Sequence, residues 1–213
     1  NAGNYGIPLS EFAFGAVGRS TAILYIAVQS VLMYTVGVYL ASRGDDTSNL
    51  GAVREVFELP LVYAVLAAGL ARVLDVVPPA DSAAMETLKL TGDAAIPVML
   101  LLLGIQLANT DSGAAIRRVG VSNAMKLLVA PVVAAGIALA LGFGDATVAR
   151  VFVLECAMPA AVTPLILTIE YERGVDSGLS GPEYVSTAIF ASTLASVPIL
   201  TLLIAILQSG AVV

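Results

Sequence analysis

The sequence predicts an all-α polytopic membrane protein, and three observations carry that prediction. Of its 213 residues, 58% are hydrophobic and 12% charged, against about 45–50% and roughly 25% in soluble domains. The mean hydropathy is +0.93. The apolar residues also gather in runs of about 20, the length of helix that crosses a hydrocarbon core of about 30 Å, and turn-rich or charged segments separate the runs.

The elements follow in order. Residues 4–17 hold Gly6 and Pro8 ahead of Leu9, Phe12 and Phe14, which predicts a half-helix after a start broken near Pro8, closed by Arg19. An uninterrupted span covers 20–41, with Gln29 and Ser30 near its middle. The polar stretch 42–56, carrying Arg43, Asp45, Asp46, Arg54 and Glu55, is a linker. Spans then run over 57–77, ended by Pro78-Pro79, and over 85–108, where Pro97 predicts a kink. After a turn at 109–118, a span over 119–141 ends at Gly142-Phe143-Gly144-Asp145. Another covers 147–171 with Pro159 and Pro164 near its centre, where two prolines break it. A polar loop leads to the last span, 182–207, which contains Pro198. The expectation is six spans after one half-helix.

If every span crosses, the loops 42–56, 109–118 and 172–183 share one face, which holds Arg43, Arg54, Arg117, Arg118 and Arg173. The other face holds Arg19, Arg72, Lys89 and Arg150. The positive-inside rule therefore puts the first face in the cytoplasm and the C-terminus outside a multi-pass cytoplasmic membrane protein.

Gly6-Ile7-Pro8-Leu9 before one span and Val162-Thr163-Pro164-Leu165 before another occupy corresponding places. Proline-broken segments in matching positions point to an inverted repeat with its binding site at the breaks. With five helices per repeat, residues 1–41 end the first repeat, 42–56 link the halves, and 57–213 hold the second. Three helices are then expected ahead of residue 1, and the chain reads as N-terminally truncated.

Composition excludes several functions. A net charge of −6 leaves no basic stripe for nucleic acid. The lack of histidine removes imidazole ligands and His-based triads, so neither a metal site, a cofactor nor an enzyme is expected. Cys156 in an apolar run reads as a small packing residue. Eight arginines against two lysines, with acidic loops, suit a salt-adapted microbe, a haloarchaeon for example.

Lipid cannot satisfy the backbone groups that a helix break frees, so breaks mark places covered by protein, water or ligand. Beside the first break stand Asn1, Asn4 and Pro8, with Gln29 in the next span; Pro159, Thr163 and Pro164 form the second. These are the candidate substrate-binding residues, interhelical glue being the alternative for the amides. Ionisable residues inside spans are costly. Glu155, one turn before the second break, and Asp93, one turn before Pro97, are candidates for ion or proton coupling. Their plainer readings are a capped structural acid and an interfacial acid. Lys126 is expected to snorkel to the cytoplasmic side.

Several linked stretches resemble the auxin efflux carrier family. They are Asn1-Ala2-Gly3-Asn4-Tyr5-Gly6-Ile7-Pro8-Leu9, Val28-Gln29-Ser30 with Tyr34-Thr35, Ile96-Pro97 with Leu103-Gly104, and Lys126 to Pro131. Ala157-Met158-Pro159 on to Pro164 with Glu170-Tyr171, and Ser186-Thr187 with Pro198, complete them. The resemblance implies a ten-helix inverted-repeat transporter fold, of the kind shared with sodium–proton antiporters and bile-acid symporters, whose fourth and ninth helices cross at prolines. Asn1 then matches the crossing asparagine, Gln29 the binding-site glutamine of the fifth helix, and Pro159 with Pro164 the ninth-helix crossing. Ala160 departs from the polar residue of the plant proteins, and the short 42–56 linker lacks their long insert, which argues against auxin itself.

The expected function is a secondary carrier for a small organic anion, such as a carboxylate or an auxin-like acid, working by alternating access. A membrane sensor or scaffold without transport is the alternative. The expected partners are that anion and the lipid bilayer, no nucleic acid, and a second copy of the chain if it dimerises.

Overall fold

The computed structural model describes residues 1–37, 60–108, 116–170 and 180–212. The linker 42–56, with Arg43 and Arg54, and the loop carrying Arg173 lie outside these. All described elements are helical: α1 (Ile7–Leu32), α2 (Pro60–Val73), α3 (Ala83–Ala108), α4 (Ile116–Ala124), α5 (Ala130–Leu141), α6 (Ala146–Cys156), α7 (Thr163–Glu170) and α8 (Gly181–Gln208). π-Helical turns at Ala2–Gly6, Met33–Gly37 and Met125–Val129 flank or join them.

Two of these π-turns share a cause. Pro8 follows the turn Ala2–Gly6, and Pro131 follows Met125–Val129. A proline has no N–H and its ring crowds the carbonyl four residues back; the wider π-turn relieves that crowding and keeps the helix continuous. Pro8 thus sits in the first turn of α1 and does not break it, contrary to the sequence expectation.

The departure from helical geometry in α1 is at Gly15, with φ 66° and ψ −152°. Only glycine adopts this region without cost. The chain folds back there: the Gly18 backbone faces the Ser10 carbonyl, and Gly3 faces Ile26, while Arg19 pairs with Glu11 at 3.3 Å. Arms 7–14 and 16–32 are therefore an antiparallel helical hairpin. The half-helix and, as far as Gly37, the following span expected from the sequence are present among the described residues, with their junction at Gly15 rather than Arg19.

A Cβ at Gly15 would meet nothing within 4 Å, so Gly15→Ala isolates the backbone cost. It is expected to lower stability by about 1–3 kcal/mol. Gly136→Ala, in a helix and equally unobstructed, should be neutral or gain up to about 1 kcal/mol. Thermal unfolding of the detergent-purified variants checks both.

The later helices start and stop where local chemistry says. Gly142, left-handed at φ 60°, ends α5. Asp145 caps α6 by accepting from the Thr147 N–H at 2.7 Å. Ser180 and Glu183 form a reciprocal capping box at α8. The span expected over 147–171 is split into α6 and α7, with 157–162 non-helical around Pro159, as its two prolines predict.

Three segments are long and apolar enough to cross a membrane among the described residues: Val119–Leu141, Gly181–Gln208 and, within Ala2–Gly37, the part after the fold-back at Gly15, which at 1.5 Å per residue reaches about 33 Å. At 1.5 Å per residue, the 28 residues of α8 reach about 42 Å, more than a bilayer core needs. Val132 and Leu139 on α5 and Leu202 on α8 are 63–71% exposed. Large side chains of this kind presented outward are suited to lipid rather than water. The core lies where Leu154, Ala157 and Met158 of the α6 end meet Ala2, Ala134 and Leu200.

Candidate functional site

The break after α6 lies at the centre of this packing, and its freed backbone groups have specific partners. Lys126 Nζ donates to the Cys156 carbonyl at 3.0 Å. The Asn1 backbone nitrogen donates to the Pro159 carbonyl. The Ala160 N–H donates to Ser192 Oγ at 3.1 Å, from a buried position on α8. These contacts meet the requirement that non-helical backbone at membrane depth be satisfied by protein. They also correct the expectation for Lys126. Its ammonium is turned inward onto the C-terminal end of α6, where a cation complements the helix dipole, and it does not snorkel.

On one side of the break is a cavity of about 210 Å3 lined by Asn1–Asn4, by Ile26, Gln29, Ser30, Met33 and Tyr34 on the second arm of the hairpin, and by Ala161–Thr163. Asn1, Asn4, Gln29 and Thr163, which the sequence places in three separate segments, thus line a single space. Pro8, Pro159 and Pro164 do not line it. Pro8 and Pro159 are fully buried and shape the adjoining backbone.

One helix begins at this cavity: α7 starts at Thr163, its Ile166 N–H reaching back to the Val162 carbonyl, and such an end carries up to about half a positive charge. Facing it, the Tyr5 and Gly6 N–H groups of the π-turn bond back to the Asn1 carbonyl, at 3.2 and 3.1 Å. Asn1 is 9% exposed, and its Nδ2 has no hydrogen-bond partner among the described residues. A buried donor in this state favours an acceptor in the cavity.

The two acids named from the sequence sit elsewhere. Asp93, 47% exposed, pairs with Arg19 at 2.6 Å, and the Gly92 backbone faces the same guanidinium, so this pair ties α3 to the hairpin. Glu155 is fully buried and accepts from Ser10 Oγ at 2.7 Å. Its carboxylate packs against Gly6, where any side chain would collide with it. Ser10 and Ser192 carry no signal in the sequence analysis, and Gly6 figures there only in the proline motif. Ser10 is the one aliphatic hydroxyl of the half-helix 4–17, which could have marked it.

Residues 47–204 match the sequence profile of a family described as membrane transport protein. The chain belongs to that family. The match agrees with the resemblance to auxin efflux carriers. A relative described as an uncharacterized transporter, from Methanothermobacter thermautotrophicus, is 29% identical over 196 residues, covering 92% of this chain and 61% of the relative. The chain thus spans about three fifths of that protein's length. No solved structure matches.

Proposed function

We propose that the protein is a secondary transporter that moves a small organic anion, such as a carboxylate, across the cytoplasmic membrane by alternating access. The observation that carries this is the opening of the α7 N-terminus onto one cavity together with the unpartnered Asn1 Nδ2. Donors and positive partial charge there are fixed in advance, and none of the residues lining the cavity is a cation that would hold an anion too strongly to release. The cavity volume is below the roughly 300 Å3 at which drug-sized sites begin, which favours a small solute. Gln29, Asn4 and Thr163 supply further neutral polar groups around the space.

The matching proline segments support an inverted repeat, with residues 1–41 ending one half, 42–56 as a cytoplasmic linker and 57–213 as the other, inside a ten-helix fold whose C-terminus lies outside. Segments of the two halves meeting at one site, here Asn1–Asn4 and the break before α7, are the arrangement in which one bundle rocks against another.

Counterflow of radiolabelled malonate, acetate and benzoate into vesicles holding the full-length protein tests the proposal, with protein-free vesicles as the baseline. Protein-dependent exchange of at least one carboxylate is expected. Saturable binding without exchange would overturn transport in favour of a sensor.

A further inference from the structure

We propose that Glu155 is a proton-binding site separate from the solute cavity, which takes up and releases a proton in the course of transport. Glu155 lies one residue before the carbonyl that Lys126 holds, against Gly6 and outside the lining of the solute cavity, and is fully buried. One carboxyl oxygen accepts from Ser10; the other, Oε2, is buried and without a partner among the described residues. Lys126 is close enough to interact with its charge, yet gives its hydrogen bond to the Cys156 carbonyl and makes no ion pair among the described residues. A buried, half-satisfied carboxyl beside a fixed cation is costly as a structural device. Inside a membrane such a residue marks a functional site by default.

The titratable or charged groups around it are Lys126 from the π-turn, Tyr25 from the hairpin's second arm and Cys156 from α6. Those of α8, Glu183 and Tyr184, lie in its first turn. Asp93 is held by Arg19 and does not share this environment.

The step is simple protonation. An O–H bond forms at the carboxylate with a proton from water on one side of the membrane, and breaks when the proton leaves to water on the other. Ser10 and Gly6, which touch the carboxyl, belong to the same continuous helical arm as Asn1–Asn4. A change in Glu155's charge therefore acts on the arm that forms one wall of the solute cavity. Coupling to solute rests on the transport reading; proton binding does not.

Infrared difference spectra of the purified full-length protein between acid and alkaline pH test the binding. The wild type should gain the carbonyl stretch of a buried carboxylic acid on acidification, and Glu155→Gln should lose that band. Ser10→Ala, which keeps the acid, should retain the band but change the pH at which it appears, and this guards against a Glu155→Gln variant that fails to fold. A band unaffected by both substitutions overturns the site. In vesicles loaded with a pH indicator, malonate counter-gradients should move protons with wild type and not with Glu155→Gln. Equal proton movement per malonate in the two overturns coupling, whereas absence of malonate exchange with the infrared band still assigned to Glu155 overturns only the solute assignment.

Discussion

Asn1→Asp is expected to eliminate measurable carboxylate counterflow. The substitution is nearly isosteric, so the wall of the cavity keeps its shape. It replaces the unpartnered Nδ2 donor with an oxygen and sets a negative charge where the anion would sit. Asn1→Ala removes the donor alone. A hydrogen bond to a charged group is worth about 1.5–3 kcal/mol, so this milder change should weaken apparent affinity by roughly ten- to a hundredfold. Counterflow rates over a range of malonate concentrations separate the two effects. Equal rates in wild type and both variants would remove Asn1 from the site.

Gly6→Ala should be among the most damaging single substitutions in the protein. The added methyl would collide with the Glu155 carboxyl group, and neither partner has room to yield, since Glu155 is fully buried and anchored by Ser10. Overpacking of this kind costs about 1–3 kcal/mol, and here it also strains a buried polar contact. Thermal unfolding should show the loss in wild-type background and little of it in a Glu155→Ala background, because residues in direct contact are not additive. Equal losses in both backgrounds would mean that the contact does not carry the effect.

Much of this arrangement was legible in the sequence, for identifiable reasons. Pro159 and Pro164 lie five residues apart in an apolar run, and such a pair leaves a helix no continuous hydrogen-bond ladder; the break at 157–162 follows. Asn1, Asn4, Gln29 and Thr163 could be named because amides and hydroxyls are conspicuous in apolar spans. Pro8 misled, because a proline in a helix's first turn, where a π-turn already widens the backbone, breaks nothing. The fold-back at Gly15 was hidden among Gly3, Gly6 and Gly18, since only packing decides which glycine takes a positive φ. The inward turn of Lys126 was equally hidden. Its acceptor, the Cys156 carbonyl, comes within reach only when α6 ends beside the π-turn that carries the lysine. Glu11 and Asp93 find Arg19 across the fold, a partnership that no local pattern signals.

The most direct measurement of the central claim is solute protection of thiols placed in the cavity. In a Cys156→Ser background, Gln29→Cys and Thr163→Cys would each be labelled with a water-soluble thiol reagent in the presence and absence of a carboxylate that the protein exchanges. The account predicts that the carboxylate slows labelling at both positions, since both line the one cavity in which the anion is proposed to bind. Unchanged labelling rates at both positions, with carboxylate exchange intact, would contradict it.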